Sequence, residues 1–126
     1  MPRKYKYESR DLACANWMLG QIRFIAESFK RPNLHAWAND IRLMREQDQR
    51  SYEEIFQVFT WANKHEFWCF NILSPAKLRK QFDVLTIQMK KAAKPGAKTS
   101  QREQNLRAAV EMNYQDFIGK HATDKN

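Results

Sequence analysis

Apolar residues recur along this chain at three- and four-residue spacing, in runs bounded by helix-capping residues. That single pattern decides the fold class. Leu12, Ala15, Leu19, Ile22, Ala26 and Phe29 form one stripe, widened by Trp17, Phe24 and Ile25. A second stripe is Leu34, Trp37, Ala38, Ile41 and Met44, with Asp40, Arg42, Arg45 and Glu46 facing outward. A third is Tyr52, Ile55, Phe59 and Ala62, with Phe56, Val58 and Trp61 beside it. Such stripes bury one face of a 3.6-residue helix, whereas a half-buried strand alternates every second residue. Strand-like alternation is scarce, and three Gly and four Pro are too few for a turn-rich sheet fold. The pattern predicts an all-α fold: a compact bundle of four core helices plus a C-terminal helix after a basic linker.

Capping residues set the expected boundaries. Residues 1–8 form a basic arm, expected to be mobile. The first helix starts near Ser9 as N-cap, with Asp11 in its first turn, and runs to Arg31, where Pro32 disfavours helical geometry. The second covers Asn33 to Asp48. Ser51 with Glu54 three residues on is a capping box, opening a third helix that ends near Lys64. The fourth opens with Ser74 as N-cap and Pro75 at the first helical position and extends to about Ala93. Its Leu78, Phe82, Leu85 and Met89 lie within about 60° of one another. Lys77, Arg79, Lys80, Lys90 and Lys91 take the remaining arc. Val84 and Ile87 fall among them, facing a partner or another helix of the chain. The connection His65 to Leu73 holds Phe67, Trp68 and Phe70, at least two of which are expected to plug the core, because exposing three rings is costly. Trp37 and Trp61 are expected in the core.

The division predicted is a helical domain over residues 1–93, including the basic arm, followed by residues 94–126. The second part begins as a flexible basic linker around Pro95-Gly96. It continues with a helix from Ser100, boxed with Glu103 and carrying Leu106, Val110, Phe117 and Ile118, and ends in a polar tail. That last helix either docks on the core or binds a partner.

Net charge is +8 and the pI about 9.7. The excess is uneven: residues 64–126 hold twelve of the 22 Lys and Arg against six of the 14 acids. A concentrated basic patch is the electrostatic footprint of a polyanion binder. Lysine and arginine neutralise phosphates and release counterions, and exposed rings stack on unpaired bases. The candidate nucleic-acid contacts are therefore Lys77, Arg79, Lys80, Lys90, Lys91, Lys94 and Lys98 for phosphates, with Trp68 or Phe70 for bases.

Catalysis finds no support. His65-Glu66-x-x-Cys69 begins like a zinc-protease helix, but Cys69 stands where the second His is required and no further ligands follow at zinc spacing. There is no phosphate-cradling Gly-rich loop and no nucleophile elbow. Glu53-Glu54 sits beside a helix cap, which accounts for it. Cys14 and Cys69 lack metal or redox spacing. No enzyme activity, metal or cofactor is expected. No apolar run approaches the roughly 20 residues of a membrane helix, and no signal peptide is expected, because no apolar stretch follows the basic start. It is expected in the cytoplasm of a bacterial host.

One string carries a resemblance: Trp61-Ala62, Phe67-Trp68, Asn71-Ile72-Leu73-Ser74-Pro75 and Lys77-Leu78-Arg79. Together with Pro32-Asn33-Leu34, Trp37-Ala38, Ile41-Arg42-Leu43-Met44 and Asp48, Arg50, Glu53-Glu54 and Ile55, it resembles the C-terminal module of phage replication proteins of the replisome-organiser and helicase-loader type. The similarity covers about residues 11–90, with a looser one to primosomal DnaD-type domains. It implies a small helical domain acting at phage or prophage replication initiation, binding single-stranded DNA or bringing in the host replicative helicase. Only about ten residues precede the first helix, so the N-terminal winged helix usual in such proteins is not expected, and neither is sequence-specific origin recognition. Two readings follow. In one, the fourth helix and its linker bind DNA non-specifically, with single strands preferred to a specific duplex. In the other, the chain is a replisome adaptor that grips the helicase or another initiator through its last helix or the Val84/Ile87 patch. A helix-turn-helix regulator fits poorly, since about nine residues join the third and fourth helices where three or four are usual.

Overall fold

The computed structural model describes residues 5–92 together with Met112, Gln115 and Phe117. Among the described residues the fold is all-α: α1 (Ser9–Ile25), α2 (Leu34–Glu46), α3 (Tyr52–Lys64) and α4 (Pro75–Ala92), with a short 3-10 turn, Trp68–Phe70, between α3 and α4. No helix among them is long and apolar enough to cross a membrane.

Three helix starts follow the local chemistry. Asn33 Oδ1 accepts the N–H groups of His35 and Ala36 at 3.1 and 3.2 Å, which caps α2. Ser51 and Glu54 form the reciprocal box at the head of α3, each side chain taking the other's N–H at 3.1 Å. At α4, Ser74 Oγ accepts the Lys77 N–H at 3.2 Å, and Pro75, with no N–H to satisfy, is buried at the first position.

α1 departs from expectation at both ends. Its N-cap is Glu8, not Ser9. The Glu8 N–H donates to Asp11 Oδ2 at 2.9 Å, because Asp11 is a buried anchor rather than a surface charge favouring the helix dipole. The helix then stops at Ile25, well short of Pro32. Arg23 Nε donates to the Phe29 carbonyl at 3.2 Å, and the Phe29 ring lies 6.5 Å from Trp37. Both contacts hold Phe29 off the helical path. Phe24 and Ile25, expected to widen the buried stripe, are instead 84% and 44% exposed.

Met18 and Ile22 of α1, Ile41 and Met44 of α2, Ile55, Phe56 and Phe59 of α3, Ile72, and Leu78 and Leu85 of α4 are essentially without exposure and form one core. Trp17 is half-buried and stacks on Phe56 at 4.1 Å. Trp37 is buried as expected, whereas Trp61 is only partly so and lies 4.8 Å from the His65 ring. Phe117 comes from far along the chain to lie 4.9 Å from Phe56 and 5.3 Å from Tyr52. It is 8% exposed, so at this residue the last segment does dock on the core. The expected linker and remaining tail lie outside the described residues.

Asp11 ties three helices together. Fully buried, it receives Arg45 of α2 through Nε at 2.7 Å and a terminal nitrogen at 2.8 Å, and the Tyr52 hydroxyl of α3 at 2.7 Å. Arg45, expected outward, also reaches Glu8 at 2.9 Å and lies over the Tyr52 ring. Every acceptor site of the carboxylate is thereby used, which is what burying a charge demands. The arm differs from expectation too. Its residues 5–8 are strapped to α2: Lys6 donates its N–H to Asn39 Oδ1 at 3.2 Å, the Lys6 carbonyl accepts from Arg42 Nε at 2.9 Å, and Tyr7 bonds His35.

Candidate nucleic-acid interface

The surface around α4 is built from two parts, the 3-10 turn and the helix itself. The turn is stiffened by three side chains. His65 Nδ1 accepts the Phe67 and Trp68 N–H groups at 3.1 and 3.4 Å. Asn71 Nδ2 closes back on the Phe67 carbonyl at 2.7 Å. Trp68 Nε1 donates to Gln88 Oε1 of α4 at 2.9 Å. The resembling string thus has a structural meaning: Asn71 closes the turn, Ser74 and Pro75 start α4, and Leu78 enters the core beneath it.

This scaffold does not send the turn's rings into the core. Phe67 is 58% and Phe70 71% exposed, and Trp68 is only partly buried, edge-on to Phe67 at 4.8 Å. The expectation that at least two would plug the core is therefore incorrect. Ile72, two residues after the turn, takes the buried place instead. The Trp68 indole is held between Phe67 and Gln88, so it fixes the turn to the helix more than it offers a free face.

On α4, Lys77, Lys80, Lys90 and Lys91 are exposed and make no ion pair with a described residue. Lys77, Lys80 and Lys91 share one face with Gln88 at 100° per residue, while Lys90 lies about 80° beyond Lys80 on its flank. Val84 and Ile87 stand in the middle of that face, 43% and 57% exposed.

Arg79 is placed differently. It donates Nε to Asp48 at 2.7 Å and a terminal nitrogen to Gln47 at 3.2 Å, locking α4 to the end of α2. The Arg79 hydrogen bond holds the Asp48 carboxyl below the usual carboxylate range, and Asp48 in turn raises Arg79. Beside them Arg50 pairs with Asp83 at 2.7 Å and lies over the Phe82 ring. Asp40, Asp48, Arg50, Arg79, Lys80 and Asp83 line an open groove of about 590 Å³ carrying both signs of charge. Burial raises the Asp40 carboxyl, partly opposed by Arg79. The predicted basic surface is thus divided: lysines on the outer face, and Arg79 in a mixed-charge network at its edge. Lys94 and Lys98 lie outside the described residues. The pairing of Asp48 with Arg79 spans 31 residues, and no local pattern signals it.

The described residues form a helical bundle that presents lysines and aromatic rings on its surface and uses its polar networks for its own packing. Its family can be given plainly: the chain belongs to the family described as Phage replication protein O, C-terminal domain, whose sequence model matches residues 13–92 and stops where α4 stops. The resemblance carried by the Phe67 to Arg79 string is borne out. The chain is 46% identical over 83 residues to Replication protein O of Escherichia phage lambda, covering 66% of this chain and 25% of that protein. It is 45% identical over 80 residues to Replication protein 15 of Enterobacteria phage phi80, covering 64% and 26%. It is 36% identical over 88 residues to Protein YfdO of Escherichia coli K12, covering 62% and 72%. The matches span about a quarter of the two phage proteins. No solved structure matches the chain.

Proposed function

We propose that this chain serves phage DNA replication as an accessory module that binds DNA without sequence specificity, through Lys77, Lys80 and Lys91 on the outer face of α4, with Lys90 and the more distal Lys94 and Lys98 adding charge. The observation that carries this reading is the set of α4 lysines left out of every ion pair among the described residues, beside a turn whose Phe67 and Phe70 rings face solvent. The names of the phage relatives support the replication context. Arg79 is engaged by Asp48 and contributes mainly by holding the helix in place.

Fluorescence anisotropy with labelled single- and double-stranded oligonucleotides at several salt concentrations tests the proposal. Four phosphate contacts on a single strand give a slope of log K against log salt of roughly −3, and Lys77→Glu with Lys80→Glu halves it. An unchanged slope in that double variant would remove α4 from the interface.

A second reading, recruitment of the replicative helicase or another initiator, is favoured by one observation. Lys77, Lys80, Val84, Ile87 and Lys91 follow a three-four spacing on an exposed face, the pattern of a seam that accepts another helix. Under this reading Val84→Asp with Ile87→Asp abolishes helicase capture in a pull-down, whereas under the first it leaves capture unchanged.

A further inference from the structure

We infer that the end of the bundle formed by Phe24, Phe67 and Phe70 is a stacking platform for the unpaired bases of a single strand, the base-contacting half of an interface whose phosphate-contacting half is α4. The inference rests on the DNA reading above and names the form of DNA.

Three observations converge on it. Phe24, Phe70 and Phe67 are the most exposed aromatic rings among the described residues, at 84%, 71% and 58%. They come from separate segments yet belong to one end of the fold. Lys64, the last residue of α3, places its Nζ 5.7 Å from the Phe24 ring at the end of α1, and Phe67 follows three residues later. One of the three rings is also held in place. Phe67 is fixed by its N–H to His65, its carbonyl to Asn71 and the edge of Trp68. A ring presented by a locked turn loses little freedom on stacking, and any base offers it a π face.

Charge selects the occupant. The chain carries +8, which favours an anionic partner. The Trp68–Gln88 hydrogen bond joins the turn to α4 one helical turn before Lys91. A strand stacked on Phe67 or Phe70 therefore finds lysines beside it for its phosphates. In duplex DNA the base faces are hidden within the stack, so the rings gain nothing from it. An unpaired strand is the polyanion that uses both halves.

The test compares two labelled 15-residue strands, oligo-dT and a strand of the same length made of abasic sites, by fluorescence anisotropy with the full chain at fixed salt. The abasic strand keeps every phosphate and removes every base. Stacking predicts that oligo-dT binds about tenfold or more tightly than the abasic strand. It also predicts that Phe24→Ala with Phe67→Ala and Phe70→Ala brings the two affinities together. These rings are exposed, so the variant keeps its fold, checked by circular dichroism. Equal binding of the two strands by the native chain overturns the platform and leaves the α4 phosphate reading standing. A preference for oligo-dT that survives in the triple variant overturns these residues as its source. Binding of neither strand overturns the DNA reading and the platform with it.

Discussion

Replacing Asp11 with alanine removes one carboxylate from the junction of three helices. It strips Arg45 of two contacts at 2.7 and 2.8 Å, the Tyr52 hydroxyl of its acceptor at 2.7 Å, and the Glu8 N–H of its partner at 2.9 Å. Removing one member of a buried ion pair costs about 3–5 kcal/mol, because the other charge stays behind uncompensated. Arg45 keeps 16% exposure and retains Glu8 at 2.9 Å, which places the effect at the low end, about 3 kcal/mol. Against a domain stability of about 5–15 kcal/mol this is a large share. With an m-value of about 1.5–2 kcal/mol/M, the urea midpoint falls by about 1.5–2 M. Equilibrium urea unfolding followed by tryptophan fluorescence measures it. A double-mutant cycle with Arg45→Ala isolates the pair. The two losses overlap, so the double variant is less damaged than their sum by more than about 1 kcal/mol. Strict additivity, or a loss in Asp11→Ala below about 1 kcal/mol, would refute the view that this carboxylate holds the helices together.

Two further predictions concern the same helix junctions. Gln49, in the turn after α2, has φ 58°, a left-handed conformation costing a non-glycine residue about 1–2 kcal/mol. Gln49→Gly relieves it, and after glycine's greater unfolded freedom is subtracted the net gain is about 0.5 kcal/mol. A lower urea midpoint in that variant would contradict the assignment. Burial, aided by the hydrogen bond to Asp11, pushes the Tyr52 phenol well above the usual tyrosine range. A raised folded-state value keeps its stability contribution intact below the unfolded value of about 10 and loses it as the pH rises from there. Urea unfolding from pH 8 to 11 measures this. Tyr52→Phe shows a shallower alkaline decline than the native chain, and identical slopes would show that Tyr52 does not carry it.

Much of the fold is legible because it is local. The Ser51–Glu54 box, Asn33 before α2 and the Ser74-Pro75 pair act within one helical turn of themselves, and the spacing of Leu78, Phe82 and Leu85 marks the buried face of α4 in the sequence alone. The same locality makes the outward lysines of α4 and the exposed Val84 and Ile87 readable from helical spacing. What tertiary structure decided is whatever depends on a partner dozens of residues away. Asp11 reads as an ordinary first-turn acid until Arg45 and Tyr52, 34 and 41 residues on, converge on it. Arg79 reads as a free cation until Asp48 claims it. Hydrophobicity places Phe24, Phe67 and Phe70 in the core, yet the available volume is already filled by Ile22, Phe56, Phe59 and Ile72. A close-packed interior admits no further rings without strain, so those three remain at the surface, a place the sequence alone had left open only for Phe70.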